Sequence, residues 1–358
     1  MSLPLLHLEG TPHQQGISHG RQLRDHIAHN IQVYFERFQS EAGLPRAEVL
    51  ERAVRYGKAI ARQNADYFAA IQGIAAGSGL DLDELLALNV RYEIIYSQLS
   101  MNALADGCTS FVVTPEASAS GHLLMGQNWD WIPQVHGAVL HTVEPDGLET
   151  VSFTEAGIVG GKIGLNSAGL GLAVNGLHST DDDWSRLSKP FHVRCYEILR
   201  ARDLETAVQV VTNSERACST NFLMAQPPDR VANVEAAPKK ASILSPQNGR
   251  LVHTNHFLDP RALDVVEPPR EPSSSTCHRL ERLHALLGSR HPLAVEDIQD
   301  YLRDHQGYPH SICCHEDTDL PPGNRYLTVT SAVIDLDRRE LNISDGPPCH
   351  NEYQRVRL

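Results

Sequence analysis

The pattern of apolar residues changes abruptly near residue 107, and this change constrains the fold more than any other feature of the chain. Before it, apolar residues recur at the spacing of an amphipathic helix, first at Leu23, Ile27, Ile31, Tyr34 and Phe38. Two further helices are predicted over residues 46–76 and 82–100. The first hundred residues are therefore expected to be helical.

From Asp106 onward the sequence consists of short β-type segments that are broken by Gly, Asn and Pro-Asp-Gly turns. No helical pattern separates these segments, which favours antiparallel pairing over βαβ crossovers. Helices return over 191–200, 204–212 and 277–287, and later strands are predicted around 221–225, 251–254, 326–335 and 340–344. The expected class is α+β, with layers of antiparallel sheet covered by helices.

Composition excludes several classes of protein. The 358 residues carry a formal net charge of −13 and show no basic stripe, which argues against nucleic-acid binding. No apolar run approaches the roughly 18 residues of a membrane span, and no leader pattern opens the chain, so a cytoplasmic location is expected. The seven cysteines match no disulfide framework and are expected to be reduced. The sequence gives no indication of the oligomeric state.

The dipeptide Gly107–Cys108 lies at the boundary between the two patterns. If this bond is cut, Cys108 becomes an N-terminal residue that carries both a thiol and an α-amine. A free α-amine has a pKa of about 7.7–8.0, so it can act as the base for its own thiol near neutral pH. The thiol could make the cut itself by attacking the Gly107 carbonyl, since glycine tolerates a strained backbone and leaves that carbonyl open. A buried structural cysteine is the alternative.

Two other patterns in the sequence do not predict a ligand site. The glycines between 157 and 171 are not followed by a helix, so they do not form a dinucleotide-binding fingerprint and are interpreted as hairpin turns. His253, His256, the run Cys313–His315 and the pair Cys349–His350 lack the usual spacings of zinc ligands. No metal and no other cofactor is therefore expected.

Seven blocks of the sequence resemble, in the same order, the penicillin acyltransferase-like (acyl-coenzyme A:6-aminopenicillanic acid acyltransferase) family of N-terminal nucleophile (Ntn) hydrolases. They lie at residues 9–20 ("EGTPHQQGISHG"), 106–110 ("DGCTS"), 126–131 ("GQNWDW"), 154–178, 251–258 ("LVHTNHFL"), 308–313 ("YPHSIC") and 323–329 ("GNRYLTV"). Most of the chain is covered. The hairpin between Cys108 and Asp130 is longer here than in the family's best-known member, which bears on one wall of the site.

The resemblance implies an αββα sandwich and a precursor that cleaves itself between Gly107 and Cys108. Residues 1–107 would form a helical α chain, and residues 108–358 a catalytic β chain that stays bound to it. It further implies catalytic roles for Cys108 as nucleophile, Asp130 at the new α-amine, Asn255 as an oxyanion donor and Arg325 as an orienting cation.

Three hypotheses for function follow. The first is an amidohydrolase that cleaves a small N-acyl compound through a Cys108 acyl-enzyme. The second is an acyltransferase that passes the acyl group from acyl-CoA or an acyl amide to an amine. The third, a catalytically inactive binding protein, conflicts with the intact set of Cys108, Asp130, Asn255 and Arg325. Hydrolysis is preferred because water needs no pocket and the sequence shows no basic cluster for the phosphates of coenzyme A.

Overall fold

The computed structural model describes residues 3–96, 107–269, 274–322 and 325–358. The helices are α1 (Pro12–Gln22), α2 (Arg24–Ala42), α3 (Arg46–Gln63), α4 (Ala65–Ser78), α5 (Leu82–Asn89), α6 (Arg91–Tyr96), α7 (Phe191–Ile198), α8 (Leu204–Thr212), α9 (Pro260–Leu263), α10 (Ser275–Gly288) and α11 (Val295–Tyr301). The strands are β1 (Leu5–Leu8), β2 (Thr109–Val113), β3 (Leu124–Trp131), β4 (Gly137–Val143), β5 (Glu149–Glu155), β6 (Ile163–Asn166), β7 (Gly171–Gly176), β8 (Thr220–Gln226), β9 (Arg230–Ala236), β10 (Ala241–Leu244), β11 (Arg250–His253), β12 (Leu327–Asp335), β13 (Glu340–Asp345) and β14 (Gln354–Arg357).

The strands form an eight-stranded sheet in the order β1-β4-β5-β6-β7-β8-β9-β10 and a six-stranded sheet in the order β11-β2-β3-β12-β13-β14. The sheets pack face to face, since β7 contacts both β2 and β3. Helices α10 and α11 pack on the six-stranded sheet, and α8 packs on β8 and β9 of the other. This arrangement confirms the predicted αββα sandwich.

The outer face of the six-stranded sheet shows why those helices dock there. Phe111, Leu124 and Val333 point outward from three strands and are fully buried against Leu283 and Leu287 of α10. The two leucines are four residues apart and so lie on one face of the helix. Apolar side chains that recur every second residue in the strands pack against those that recur about every 3.6 residues in the helix, and together they form one apolar layer.

The N-terminal segment is not purely helical, which corrects the prediction from sequence. Strand β1 pairs in parallel with β4, and Leu6 lies opposite Leu140. Leu6 and Leu8 are buried while Leu5 is exposed, so the short apolar patch has the alternation of a strand. Four residues are too few for this period to stand out in the sequence.

The predicted helices are confirmed in the main but are divided more finely. The five apolar residues of the first pattern are all buried on or beside α2. The predicted helix over 46–76 is two helices, because the Asn64 side chain accepts the Tyr67 N–H and begins a new one. The helix over 82–100 is divided at Val90, and its predicted end at 97–100 lies outside the described residues.

Within the described residues, no helix is both long enough and apolar enough to cross a membrane.

Candidate active site

Cys108 lies directly before β2, at the end of the six-stranded sheet where β3 finishes and β12 starts. Only 5% of its surface is exposed, and its Sγ is 3.8 Å from the main-chain oxygen of Asp130. The Cys108 carbonyl faces the other sheet, because Asn175 of β7 donates a hydrogen bond to it at 3.3 Å. The predicted nucleophile therefore occupies the interior of the sandwich, between the two sheets.

Asp130 stands beside the Gly107–Cys108 peptide. It lies on β3 and is fully buried, and Thr328 of β12 donates a hydrogen bond to its Oδ1 at 2.6 Å. A Cβ atom at residue 107 would overlap the carboxylate of Asp130. Only glycine fits at this position with the carboxylate in place, so the structure brings Gly107, Cys108 and Asp130 together.

Arg279 holds the carbonyl of Cys108 and was not predicted from the sequence. Its Nη1 donates to the Cys108 carbonyl oxygen at 2.7 Å and to Thr109 Oγ1 at 2.8 Å. The side chain is fully buried on α10, and Ser275 Oγ accepts from its Nε at 2.9 Å. A permanently charged, forked donor of this kind is suited to fixing several acceptors at once.

Asn255 belongs to the same hydrogen-bond network. Its Oδ1 accepts from Nη2 of Arg279 at 3.2 Å, and its Nδ2 donates to the Gly176 carbonyl oxygen at 3.1 Å. Its main-chain N–H donates to Thr276 Oγ1 at 2.8 Å. With its oxygen bound to a cation and its NH₂ group bound to the Gly176 carbonyl, the amide is held in one orientation. We call Gly107, Cys108, Asp130, Asn255 and Arg279 the Cys108 centre.

Arg325 is held in a different place. Its Nε donates to the Leu320 carbonyl at 2.9 Å, its Nη2 donates to the Thr318 carbonyl at 3.1 Å, and Glu316 lies 4.0 Å from its Nη1. Among the described residues, these three contacts of Arg325 are all to the segment 316–320 that comes before it in the chain. In the part of the chain that it describes, the structure joins Cys108, Asp130 and Asn255 and shows no hydrogen bond or ion pair between Arg325 and any of them.

One signal in the sequence points to Arg279. It precedes Leu283 and Leu287 by four and eight residues, and all three are the buried residues of α10. An arginine on the apolar stripe of a helix needs acceptors in the interior. The Cys108 carbonyl and the Asn255 amide provide them.

A second buried polar group lies nearby, which we call the Glu155 cluster: Tyr34, Arg91, Glu155 and Lys162. Arg91 and Lys162 both form ion pairs with Glu155, and Tyr34 donates a hydrogen bond to it. Lys162 Nζ lies 3.4 Å from the ring centroid of Trp129, and Lys162 interacts electrostatically with Cys108. Burial lowers the pKa of the Lys162 ammonium to about 7, against the attraction of Glu155.

The neighbouring cations Arg91 and Lys162 keep the Glu155 carboxyl ionised. Burial alone would raise the pKa of this carboxyl, but the Arg91 guanidinium and the Lys162 ammonium hold it well below its ordinary value. Arg91 also lies over the Trp131 ring, 4.7 Å from its centroid. Tyr34 and Arg91 come from before Gly107 and the other two residues from after it, so this cluster joins the two parts of the chain.

A cleft opens at the same end of the six-stranded sheet. It lies between the start of β4, the start of β12 and the loop that joins β13 to β14. Pro133, Val135, Leu327 and Val329 supply apolar lining. Leu327 is paired with Trp131, one register position from the pair of Asp130 and Thr328, so the cleft begins beside the Cys108 centre.

With this geometry in view, the comparisons with known proteins identify the family. The model of the family described as acyl-coenzyme A:6-aminopenicillanic acid acyl-transferase matches residues 117–345. A relative from Emericella nidulans, described as the 40 kDa form of acyl-coenzyme A:6-aminopenicillanic-acid-acyltransferase, is 30% identical over 317 residues, which cover 86% of this chain and 84% of the relative. The chain belongs to this family, as its sequence blocks predicted.

Two solved structures are also similar. An N-acylethanolamine-hydrolyzing acid amidase ortholog from Caenorhabditis elegans has a TM-score of 0.48 at 14% identity, with 64% of this chain and 93% of that chain covered. Penicillin V acylase from Agrobacterium tumefaciens has a TM-score of 0.47 at 16% identity, with 66% and 83% covered.

Proposed function

We propose that this protein is a self-processing Ntn amidohydrolase that cleaves small N-acyl compounds through an acyl-enzyme on Cys108. The observation that carries the proposal is the contact of the Asp130 carboxylate with Gly107, directly beside a buried cysteine whose carbonyl is held by Arg279. The alternative of a structural cysteine gives no reason for a buried carboxylate at that glycine.

In the proposed processing step the Cys108 thiol attacks the Gly107 carbonyl. The peptide C–N bond breaks, a thioester forms, and the proton of the thiol passes to the new α-amine. Water then hydrolyses the thioester, which leaves a Gly107 carboxylate and the free Cys108 thiol. The buried Asp130 carboxylate stabilises the protonated form of the amine that appears beside it.

The proposed turnover repeats this chemistry on a substrate. The α-amine of Cys108 accepts the thiol proton, the thiolate attacks the acyl carbonyl, and the amine passes the proton to the leaving nitrogen. The NH₂ group of Asn255 stabilises the oxyanion of the tetrahedral intermediate, and Arg279 keeps Asn255 in orientation. No step requires a metal at Cys108. The apolar lining of the cleft favours an apolar acyl group.

We further propose that residues 1–107 stay bound to residues 108–358 after the cut. Strand β1 pairs with β4, and Arg91 and Tyr34 bind Glu155. Asn30 adds hydrogen bonds to the carbonyls of His136 and Ala156 at 2.9 and 3.0 Å. These contacts span a large buried interface that does not depend on the peptide bond at residue 107.

Mass spectrometry of the purified protein tests the processing step. In proportion to 107 and 251 of the 358 residues of the 39.5 kDa chain, the fragments are about 12 and about 28 kDa. Cys108→Ala should remain one inactive chain, whereas Cys277→Ala, at a half-buried cysteine outside the Cys108 centre, should be cut normally. A wild-type chain that is active without being cut would contradict the mechanism.

Acyl transfer to an amine is the second candidate, and the description of the family favours it. The two reactions share the acyl-enzyme and differ only in the group that attacks it. An acyl amide should be supplied to the mature enzyme with and without a competing amine at millimolar concentration. We expect the free acid to dominate. If the acylated amine dominates and the free acid is negligible, the protein is a transferase.

A further inference from the structure

Four side chains that bind transition metals converge at one edge of the six-stranded sheet. His305 follows α11, Cys313 and His315 lie on the segment before β12, and Cys349 lies in the loop between β13 and β14. One ligand atom from each residue lies within 4.8 Å of all the others. The cluster is separate from the Cys108 centre and has no part in the reaction proposed above.

Three of the six separations between these atoms match tetrahedral zinc, and the others are no longer than 4.8 Å. Zn–S bonds of about 2.3 Å and Zn–N bonds of about 2.0–2.1 Å set ligand separations of about 3.3 Å for N–N and about 3.6 Å for S–N. The Nε2 atoms of His305 and His315 are 3.1 Å apart. The Sγ atoms of Cys313 and Cys349 lie 3.6 and 3.4 Å from Nε2 of His315.

We propose that His305, Cys313, His315 and Cys349 bind one Zn²⁺ ion as a structural site. Two thiolates and two neutral imidazoles form a closed tetrahedral donor set, which is typical of structural rather than catalytic zinc. Binding releases two protons, one from each thiol, and the resulting site is neutral. His305 is exposed at the surface, which gives the ion a path of entry.

The site fastens one wall of the cleft. The loop that carries Cys349 also supplies Gly346, Pro347 and Asn351 to the cleft lining. Coordination ties this loop to the segment that carries Cys313 and His315. The loop also has direct contacts that need no metal: Arg303 Nε donates to the Pro348 carbonyl at 3.0 Å, and the Gly346 N–H donates to the Val329 carbonyl at 2.8 Å.

The same segment reaches the Cys108 centre through a short path. The main-chain N–H of Cys314, between two of the ligands, donates to Thr328 Oγ1 at 2.9 Å. Thr328 Oγ1 in turn donates to Asp130 Oδ1 at 2.6 Å. The segment that carries Cys313 and His315 therefore contacts the hydrogen-bond partner of Asp130, and the role of the ion is structural.

The ligand spacing explains why the site is hard to recognise in the sequence. Its members are residues 305, 313, 315 and 349, so no pair has the C-x₂-C or H-x₃-H spacing of common zinc motifs. The other two histidines with a possible zinc-ligand role, His253 and His256, have different partners. His253 lies against Glu235, 2.9 Å from Nε2, and His256 Nδ1 is 2.9 Å from Thr276 Oγ1.

The test is the metal content of the full-length protein, purified under reducing conditions and equilibrated with zinc before gel filtration. Elemental analysis should find about one zinc per chain. Cys349→Ser and His305→Ala should weaken zinc binding by more than about tenfold in competition with a chromogenic chelator. Matched controls are Cys277→Ser and His284→Ala, a cysteine and an exposed histidine of α10 outside the ligand set, which should keep the wild-type affinity.

Spectroscopy of wild-type protein covers the case in which the ligand variants do not fold. Protein loaded with Co²⁺ should show the visible bands of a tetrahedral ion and a thiolate charge-transfer band, and both should disappear when zinc is added. Zinc should also raise the melting temperature of the wild type. The proposal is overturned if wild type binds no zinc, if the control variants lose it equally, or if peptide mapping of air-exposed protein incubated with zinc finds a Cys313–Cys349 disulfide instead.

Discussion

The Cys108 centre and the Glu155 cluster are neighbouring buried polar groups that are built in opposite ways. Every side chain of the Cys108 centre comes from residue 107 or later, and its contacts are hydrogen bonds to carbonyl, hydroxyl and amide groups. The Glu155 cluster takes Tyr34 and Arg91 from the N-terminal part and pairs full charges. The first group surrounds the Gly107–Cys108 bond, where we propose the cut, and the second links the parts of the chain on either side of that bond.

The difference has an energetic reason. A buried ion pair contributes little net stability when formed, but removal of one partner leaves an unpaired charge in the interior. The Glu155 cluster should therefore respond to substitution with loss of folding or of chain association. The Cys108 centre should respond with loss of turnover.

The largest expected effect is that of Glu155→Gln. The change removes the carboxylate that forms an ion pair with the buried Arg91, whereas Lys162 can release its proton because burial lowers its pKa to about 7. We expect a loss of about 3–5 kcal/mol in the free energy of unfolding, measured by urea denaturation of the Cys108→Ala precursor. Glu149→Gln, on the same strand and with a half-exposed side chain, is the control and should change stability by less than about 0.5 kcal/mol.

Asn255→Ala tests whether a substitution in the Cys108 centre lowers turnover and leaves stability unchanged. Removal of one oxyanion donor should lower kcat by about 10²–10³ and leave the melting temperature close to that of wild type. The steady-state rate of the processed enzyme is the measurement, with the exposed Asn213→Ala as control. If kcat stays within a few-fold of wild type while processing is normal, Asn255 has only a structural role.

Arg279→Lys and Arg325→Lys distinguish the arginine that the structure places at Cys108 from the one predicted by resemblance. Lysine cannot reproduce the simultaneous hydrogen bonds of Arg279 to Cys108, Thr109 and Asn255. We expect Arg279→Lys to lower kcat by about 10- to 100-fold, the equivalent of one charged hydrogen bond. Arg325→Lys should stay within about threefold. The reverse result would establish Arg325 as the orienting cation.

The smallest expected effect concerns the pH dependence of stability at Glu93. This side chain lies on α6 and accepts the Phe191 N–H at 2.6 Å, and burial raises the pKa of its carboxyl to about 7. The contribution of a carboxyl with a raised pKa is complete below its unfolded value of about 4.5 and is lost as the pH rises through about 7. Glu93→Gln stays neutral throughout.

The melting temperatures of wild type and Glu93→Gln should therefore diverge between pH 5 and pH 8, with the variant the more stable at the alkaline end by about 1–3 kcal/mol. Parallel curves would show that Glu93 is not protonated in the folded protein near neutral pH.

Much of the fold could be predicted because its signals are local. The helical spacing before residue 107 and the short β segments after it predicted an α+β fold with sheets covered by helices, and the family resemblance added the αββα sandwich. Helix α8 has the predicted bounds of 204–212. Strand β1 was missed because four residues carry too little periodicity, and its partner β4 lies more than a hundred residues away. The break at Asn64 was missed because the apolar pattern continues across it.

The residues of the candidate site also differ in whether the sequence could predict them. Gly107–Cys108 and Asp130 carry signals in the sequence, and the structure brings them into contact. The place of Arg279 in the site could be recognised only from the tertiary structure, since only the packing of α10 on the sheet shows that its buried guanidinium faces the Cys108 carbonyl. Arg325 stays a prediction from resemblance.

The sequence by itself determined the layers, the boundary at residue 107 and the family, because apolar periodicity and ordered motifs are properties of the chain alone. Tertiary structure decided which distant groups meet: Arg279 with Cys108, Arg91 with Glu155, and Cys349 with His315. The two residues of each pair belong to separate elements, and their spacing in the sequence does not predict that they are close in space. The physical reason is that burial and contact follow from how sheets and helices pack, while the sequence specifies each element only by its own pattern.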